Sequence, residues 1–429
     1  MFEKIFALRH YGTDPRTEIV AGLTTFLTMS YILAVNPTIL AAAHMDKGAV
    51  FVATCVAAII GSLIMAFVAN WPVGMAPGMG LNAFFAYTVV LNYGYTWQEA
   101  LGAVFISGLV FLLLTATGVR KWLVAGVPQS LRSAIAAGVG MFLSIVALEG
   151  SGIIVANSAT LVGLGSLTQA APLLTIIGFF LIVALDLWNV RGGVLIGILT
   201  ITVASFFLGL NSVPDRIVSL PPSLSSTFMQ MDLAGVFKKG LFHVLLVFVL
   251  VEIFDATGTL IGVGKRAGLL TGDREKGLDK ALFADSTAIV AGAVIGTSST
   301  TAYVESVSGA AVGGRTGMTA LVVAAMFGLA LFFSPLMLAV PPYATAPALL
   351  FVACLMMREF AEIAWDDLTD AAPAVLTAIM MPLTYSIASG LAFGFISYAV
   401  LKTLNGRWRE VHLATWVIVA LFILRFVIG

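Results

Sequence analysis

The sequence predicts an all-α polytopic membrane protein that crosses the bilayer about fourteen times. Hydrophobic residues make up 60% of the chain and charged residues only 10%, whereas soluble globular domains carry about 25% charged residues. A spanning helix needs ~20 mostly apolar residues, and apolar stretches of this kind fill most of the chain. Because the formal net charge is zero, nothing indicates a nucleic-acid partner, and the lipid bilayer is the expected surroundings.

Apolar runs bounded by Pro, Gly or charged residues define the predicted segments. The first seven lie near 17–40, 49–69, 76–92, 99–118, 129–149, 171–187 and 191–210. The next seven lie near 238–264, 280–296, 300–312, 316–335, 341–357, 371–388 and 390–404. A further apolar stretch, 412–428, suits either another crossing or a helix in the membrane interface, so the sequence leaves this choice open.

The Lys and Arg residues fall mostly on one side of these segments. Arg120, Lys265, Arg266 and Arg274 are among the residues that this pattern places on cytoplasmic loops, and few basic residues remain for the other side. Positively charged loops stay in the cytoplasm. We therefore expect a multi-pass protein of the plasma membrane, the inner membrane of a bacterium, with a cytoplasmic N terminus.

Two segments contain residues that interrupt helices at membrane depth. Pro77, Gly78 and Gly80 lie at the start of the third segment, and the polar run 296–301 begins the tenth. Irregular backbone is tolerated at that depth only where it is buried in protein or lines a cavity. Both breaks are therefore expected to border a binding site.

The broken segments lie seven positions apart, and weak internal similarity accompanies them. The spacing of Gly193 and Gly197, for example, recurs at Gly390 and Gly394. Because seven is odd, the second copy must enter the membrane in the opposite orientation. The sequence thus predicts two inverted seven-segment repeats, a transporter architecture with its site near the bilayer midplane.

Three carboxylates of the predicted membrane segments stand out, namely Glu252 and Asp255 in the eighth segment and Glu305 just after the polar run of the tenth. A charge at that depth costs ~2.5–3.5 kcal/mol on insertion scales, so such residues usually have a function. Glu252 and Asp255 are three residues apart and share one face of a regular helix. Close carboxylates in a dry site repel one another, and one of them readily holds a proton. The alternative is a structural role, in which the acids only accept bonds from backbone N–H groups or pair with a cation.

Polar and aromatic side chains follow the breaks closely. Asn82 offers two donors and one acceptor, and Phe84, Phe254 and Tyr303 are suited to stacking on a flat heterocycle, although any one ring is equally suited to ordinary packing. Thr28 lies near the middle of the first segment. The sequence contains no nucleophile–base pair, metal-ligand spacing or phosphate-binding glycine loop. It therefore predicts no enzyme, no metal site and no cofactor besides the proton as coupling ion.

Five motifs resemble the AzgA-like purine permeases, a branch of the nucleobase–ascorbate transporter group. They are TEIVAGLTTFLTM at 17–29, APGMGLNAFF at 76–85, FDATGTL at 254–260, GTSSTTAYVES at 296–306 and GGRTG at 313–317. The resemblance covers essentially the whole chain. It implies a core domain (17–118 and 238–335), a gate domain (129–210 and 341–404) and the extra helix 412–428.

The same resemblance implies a secondary active transporter that imports adenine, hypoxanthine or guanine with protons by an elevator-like motion, and a homodimer formed through the gate. Asp255 and Glu305 match the acids that hold the N–H edge of the base, and Gly80 and Asn82 match contributors from the third segment. The expected proton-coupling residues are Asp255, Glu305 and Glu252. The expected substrate-binding residues are Thr28, Gly80, Asn82, Phe84, Phe254, Asp255, Thr300, Thr301, Tyr303 and Glu305.

Two alternatives stay open at this point. One is a permease of the uracil or xanthine type. The other is an anion exchanger or channel on the same inverted-repeat scaffold, which should carry a cation at the half-helix ends. Besides these two transporters, a non-transporting receptor is a further alternative, which would bind a base but would not move it.

Overall fold

The computed structural model describes residues 2–270 and 276–428, so Arg274 of the predicted cytoplasmic loop lies outside the described residues. Within that part of the chain, nine helices are long and apolar enough to cross a membrane. The shorter apolar helices Met79–Asn92, Gly193–Phe207 and Leu368–Leu383 occupy three more of the predicted segments. The prediction of a polytopic, mainly helical membrane fold is confirmed.

The first repeat contains ten helices and three short strands. Its elements are α1 (Phe2–Phe6), α2 (Pro15–Met29), α3 (Ile32–Ala42), α4 (Lys47–Ile64), β1 (Met75–Pro77), α5 (Met79–Ala83), α6 (Trp97–Ala116), α7 (Val119–Gly126), α8 (Gln129–Gly150), β2 (Ile154–Asn157), β3 (Leu161–Leu164), α9 (Ala170–Leu187) and α10 (Gly193–Phe207). Turns of π-helix, Met65–Ala69 and Phe84–Asn92, extend α4 and α5. The exposed hairpin of β2 and β3 is an addition to the all-α prediction.

The second repeat is likewise built of helices around its own short strand. Its elements are α11 (Leu233–Lys239), α12 (Leu241–Arg266), α13 (Lys276–Ile295), β4 (Thr300–Ala302), α14 (Ser306–Val312), α15 (Gly317–Ala330), α16 (Ser334–Leu338), α17 (Pro342–Met357), α18 (Leu368–Leu383) and α19 (Ile387–Leu404), followed by α20 (Leu413–Ile428). Short 3₁₀ turns, Leu331–Phe333, Arg358–Glu362 and Trp408–Glu410, connect several of them.

Local sequence explains where several helices begin. Asp14 caps α2 and accepts a bond from the backbone N–H of Arg16, with Pro15 at the first helical position. Thr96 and Glu99 form a capping box at the start of α6, each side chain accepting from the backbone of the other. These caps satisfy N–H groups that no helix can satisfy within itself.

One cap links the two repeats. Glu18 on α2 is fully buried, and its carboxylate accepts bonds from the backbone N–H of Arg315 at 2.8 Å and of Thr319 at 3.1 Å. Thr319 belongs to the first turn of α15, and Arg315 lies just before that helix. A negative charge at a helix N-terminus is favourable, so Glu18 fixes α15 of the second repeat against α2 of the first.

The helices pack in two sets. One set contains α2, α3, α4 and α6 with α13, α14 and α15, and the other contains α8, α9 and α10 with α17, α18 and α19. The division of the chain into a core and a gate domain stays a prediction, and the two sets are named after its segments. Close approach within a set uses glycine: a Cβ at Gly309 of α14 would lie 2.1 Å from Thr25 Oγ1 of α2.

The two broken segments pair with each other. Strands β1 and β4 form a two-stranded antiparallel sheet in which Met75 faces Ala302 and Pro77 faces Thr300. Both strands are completely buried. The prediction that the third and tenth segments are broken is therefore confirmed. The two breaks meet where β1 pairs with β4, and we call this strand pair the β1–β4 crossing.

The position of α20 bears on the question that the sequence leaves open. Near its start, Thr415 Oγ1 donates to the carbonyl oxygen of Gly126 at 2.6 Å, and near its end Arg425 Nη2 donates to Tyr93 Oη at 3.1 Å. Gly126 and Tyr93 lie beyond opposite ends of α6, a helix of 20 residues. An α-helix rises about 1.5 Å per residue, so α20 runs from one end of the bundle to the other, as a crossing helix does.

If α20 crosses the membrane, the two termini lie on opposite sides. We expect a single cysteine appended to the C terminus to react with a membrane-impermeant maleimide from the side opposite to a cysteine appended to the N terminus. Labelling in intact and inverted vesicles measures this. The native thiols Cys55, which is buried, and Cys354, which is exposed, are replaced by Ala in both variants. Labelling of both termini from the same side would show that α20 does not cross.

Candidate functional site

The β1–β4 crossing is completed by bonds on either side of the strands. The N–H of Gly78 donates to the carbonyl oxygen of Ser299 at 2.9 Å, and the N–H of Tyr303 donates to that of Gly74 at 3.0 Å. Tyr303 Oη also donates to the carbonyl oxygen of Pro77 at 2.6 Å. Pro77 can sit here because it has no N–H to be satisfied.

The helix α5 starts at the crossing without a side-chain cap, because its N-cap residue is Gly78. A Cβ at Gly78 would lie 2.9 Å from Thr301 Cγ2 and 3.9 Å from Asp255 Oδ2, so the carboxylate of Asp255 lies beside the start of α5. Asp255 is exposed although it belongs to the membrane-spanning α12. The free N–H groups of a helix start attract negative charge. Donors and a carboxylate acceptor thus stand side by side at an accessible place.

Glu305 follows β4 in the chain and lies directly before α14. Tyr31 Oη donates to Glu305 Oε1 at 2.5 Å, and Tyr31 occupies the interruption between α2 and α3. A cavity of about 140 Å³ is lined by Thr28, Tyr31, Asp186, Glu305 and neighbouring residues of both helix sets. The Thr28 hydroxyl donates to the carbonyl oxygen of Thr25 at 2.9 Å. The structure brings Thr28 and Glu305 to one cavity, together with Tyr31, which the sequence analysis did not select.

Other predicted residues lie behind the crossing. Asn82 is fully buried and accepts a bond from Ser298 Oγ, and Thr300 is also fully buried. Phe84 is buried with its ring edge-on to that of Phe248, 5.0 Å between centroids. Phe254 is partly buried and packs on the main core. In this conformation Asn82, Thr300 and Phe84 support the crossing, whereas Asp255 and Gly80 reach accessible space.

Glu252 is enclosed, in contrast to Asp255. Its Oε1 accepts a bond from Ser299 Oγ, and its Oε2 has no hydrogen-bond partner among the described residues. Ser299 is the residue directly before β4. Of the two acids on α12, Glu252 therefore lies in an enclosed place and Asp255 in an accessible one.

The sequence analysis did not select two further charged residues that the structure places next to β4. Asp285 of α13 is fully buried, and its Oδ1 accepts bonds from Thr301 Oγ1 at 2.9 Å and from the N–H of Ala302 at 3.0 Å. It lies within the predicted segment 280–296, so its intramembrane position was a usable signal. Arg120, expected on a loop, is only 1% exposed and lies 3.6 Å from Asp285 Oδ2. No sequence signal distinguishes it from its neighbour Lys121.

The accessible side of the crossing faces the other helix set. Gly80 of α5 is partly exposed, and a Cβ at this position would lie 2.7 Å from Val139 Cγ1 of α8. The lack of a side chain at Gly80 therefore permits the contact between the predicted core and the predicted gate next to Asp255.

Known proteins match this chain over nearly its whole length. The family model Xan_ur_permease, described as Permease family, matches residues 16–393. The chain is 47% identical over 426 residues to the "Adenine permease AdeQ" of Escherichia coli K12, covering 99% of this chain and 96% of the relative. It is 47% identical over 433 residues to the "Guanine/hypoxanthine permease PbuG" of Bacillus subtilis 168, covering 98% of each.

Among solved structures, the transmembrane domain of a cyanobacterial bicarbonate transporter, BicA, matches with a TM-score of 0.65 at 15% identity, covering 87% of this chain and 97% of that chain. SLC26A9 matches with a TM-score of 0.62 at 11% identity, covering 91% of this chain and 65% of that chain. These two likenesses show the fold, and the fold agrees with the predicted inverted-repeat scaffold.

The contact at Gly80 leads to a testable prediction. Gly80→Ala should destabilise the protein because the new methyl group would overlap Val139, and adding Val139→Ala should relieve that overlap. In a double-mutant cycle of thermal unfolding in detergent we expect a favourable coupling of about 0.5–3 kcal/mol. Additive effects of the two substitutions would mean that Gly80 and Val139 do not pack against each other in the stable state.

Proposed function

Because the chain belongs to this permease family, we propose that it is a secondary active transporter that imports purine nucleobases, namely adenine, hypoxanthine or guanine, together with protons. The observation that carries the substrate is the 47% identity, over nearly the whole length, to relatives named as adenine and guanine/hypoxanthine permeases. Relatives of this kind move solutes rather than convert them, so the chain is a permease and not an enzyme.

The chemistry of the crossing supports a purine. Ring and exocyclic N–H groups need acceptors, and two carboxylates are available: Asp255 beside the start of α5 and Glu305 in the wall of the cavity. Ring nitrogens and carbonyl groups need donors, which the uncapped start of α5 offers. In this proposal Asp255 and Glu305 hold the base directly, the backbone at Gly80 borders it, and Tyr31 orients Glu305.

The same acids suit proton coupling. Glu252 is enclosed, and its unpartnered oxygen is easier to accommodate when the carboxyl group carries a proton, since a neutral acid avoids an uncompensated buried charge. Asp255 and Glu305 are near enough to interact electrostatically. A proton on one of them would reduce their repulsion while a base is bound. We therefore assign the coupled proton to Asp255, Glu305 and Glu252 as a group, with no other cofactor.

Transport requires that the crossing be reached from each side in turn, and we propose a movement of the core against the gate. Contacts between the two helix sets exist near both ends of the bundle. Arg191 Nη1 donates to Thr24 Oγ1 at 3.3 Å near one end, and Thr88 Oγ1 donates to the carbonyl oxygen of Tyr385 at 3.2 Å near the other. An elevator-like motion would break these contacts at different stages of the cycle.

We further propose a homodimer in the bacterial inner membrane, with the N terminus in the cytoplasm. The gate helix α9 exposes apolar side chains, among them Ile177 at 49% and Phe180 at 65%, which suit either lipid or a second copy. The orientation follows from the distribution of Lys and Arg over the predicted loops.

An anion exchanger is the second candidate, because the solved structures of similar fold include a bicarbonate transporter. Such a protein should offer a cation where the half-helices meet. In the described residues the acids Asp255 and Glu305 occupy that place, and the nearby Arg120 is buried behind β4 against Asp285. Charge therefore favours a ligand with N–H donors over an anion.

The direct test is uptake into proteoliposomes. We expect accumulation of labelled adenine, hypoxanthine or guanine that an inward proton gradient stimulates and a protonophore abolishes. Uracil, xanthine and bicarbonate are measured in parallel. Accumulation of uracil or xanthine alone would contradict the assignment to adenine, hypoxanthine or guanine. Accumulation of bicarbonate alone would favour the anion exchanger, and binding of a base without accumulation would indicate a receptor.

Substitution of the acids tests the site. Asp255→Asn and Glu305→Gln should each reduce purine uptake by about tenfold or more, because a hydrogen bond to a charged group contributes about 1.5–3 kcal/mol. The matched control is Asp215→Asn, which changes an exposed acid outside the helices and should leave uptake unchanged. Near-normal uptake in either site variant, at equal protein level, would remove that acid from the site.

A further inference from the structure

A second group of charges lies behind β4, away from the accessible side. Arg120 is among the largest fully buried side chains of the protein. Its Nε donates to Thr257 Oγ1 at 3.2 Å, its Nη1 donates to the carbonyl oxygen of Leu282 at 3.2 Å, and its guanidinium lies 4.1 Å from the centre of the Phe111 ring. Arg120 thus joins α6, α12 and α13 from its position at the start of α7.

The buried partner of Arg120 is Asp285. Its Oδ2 lies 3.6 Å from Arg120 Nη2, and neither of these two atoms has a hydrogen-bond partner among the described residues. Its other oxygen, Oδ1, accepts both bonds from β4, one from Thr301 Oγ1 and one from the N–H of Ala302. Bonds to an ionised acceptor are roughly twice as strong as neutral ones. The hold on β4 is therefore strongest while Asp285 is ionised.

A buried carboxylate stays ionised only if a cation compensates it. The charged groups that interact with Asp285 are Arg120, Glu252 and Asp255, and Arg120 is the cation among them. We propose that Arg120 is a positioning residue of the substrate site: it keeps Asp285 ionised, and Asp285 then fixes β4 at the crossing.

This role deepens the proposed function and rests on it, because β4 borders the place where Asp255 would hold the base. Arg120 does not itself touch that place. It also lies in α7, the helix between α6 and α8. The segment that connects the core to the gate is therefore bonded to the enclosed side of the site through Arg120. A displaced β4 would weaken base binding even with Asp255 and Glu305 intact.

Removing only the guanidinium should produce a pH-dependent defect. In Arg120→Met, Asp285 has lost its compensating cation and binds a proton more readily, and its bonds to β4 weaken when it does so. The relative Kd is the purine Kd of this variant divided by that of the unsubstituted protein at the same pH. We expect it to be about tenfold above unity at pH 6 and to approach unity toward pH 9. Arg120→Lys keeps the charge and should restore most of the affinity.

The double variant Arg120→Met with Asp285→Asn isolates the cause. The amide that replaces the carboxylate of Asp285 can accept the same bonds from β4 but does not titrate, so the relative Kd should be within about threefold of unity and should not depend on pH. Glu252 and Asp255 remain in this variant, so a pH dependence that persisted would assign the effect to them and overturn the proposal. Arg132→Met, which removes a partly buried Arg from α8, serves as the control.

The experiment is equilibrium binding of labelled adenine, hypoxanthine and guanine to purified protein in detergent, between pH 6 and 9, with thermal unfolding of every variant. The unfolding data need no substrate. Arg120→Met and Asp285→Asn should each be less stable than the double variant, because each single variant leaves one member of the buried pair without its partner. If the unsubstituted protein bound no purine, the proposed function would fail while the stability comparison still tested the ion pair. A double variant less stable than both single variants, or a pH-independent Arg120→Met, would refute the role of Arg120.

Discussion

The antiparallel pairing of β1 with β4 is the interaction on which the rest of the structure depends. Backbone that is not helical leaves N–H and C=O groups unsatisfied, and a bilayer offers them no water. Each broken segment supplies the partner that the other lacks. Because β1 belongs to the first repeat and β4 to the second, neither half could bury its own break, and the inverted repeat is required for the site to exist.

The crossing also decides where charges can lie. Asp255 and Glu305 are placed where the helices leave an accessible space or a cavity, so ligand or water can compensate them. Glu252 and Asp285 lie on the enclosed side, where an ion costs several kcal/mol unless it is paired. Asp285 has Arg120 and two donors from β4, while Glu252 has one hydroxyl donor among the described residues. The four acids around one short strand therefore have different tasks because they have different surroundings.

Much of this arrangement is visible in the sequence, and the reasons differ between its parts. Pro77, Gly78 and the polar run 296–301 cannot continue a regular membrane helix, so the breaks and their seven-segment spacing were predictable. The interruption at Tyr31 was not, since nothing next to it in sequence forbids a helix and its bond to Glu305 crosses between repeats. Whether Asn82 and Phe84 face a ligand or the interior also depends on packing, and in the structure both are enclosed.

Arg120 shows most clearly what local sequence does not contain. Beside Lys121 and directly after an apolar segment, it has the pattern of a cytoplasmic loop residue, and the charge rule treats it as one. Its burial depends on Asp285, which is remote in sequence, and on the ring of Phe111. Chains with this fold include a bicarbonate transporter at only 15% identity, so the scaffold does not determine the solute. In the proposed function the sign of the charges at the crossing selects the solute: Arg120 is buried behind β4 against Asp285, and the carboxylates of Asp255 and Glu305 are left to face the base.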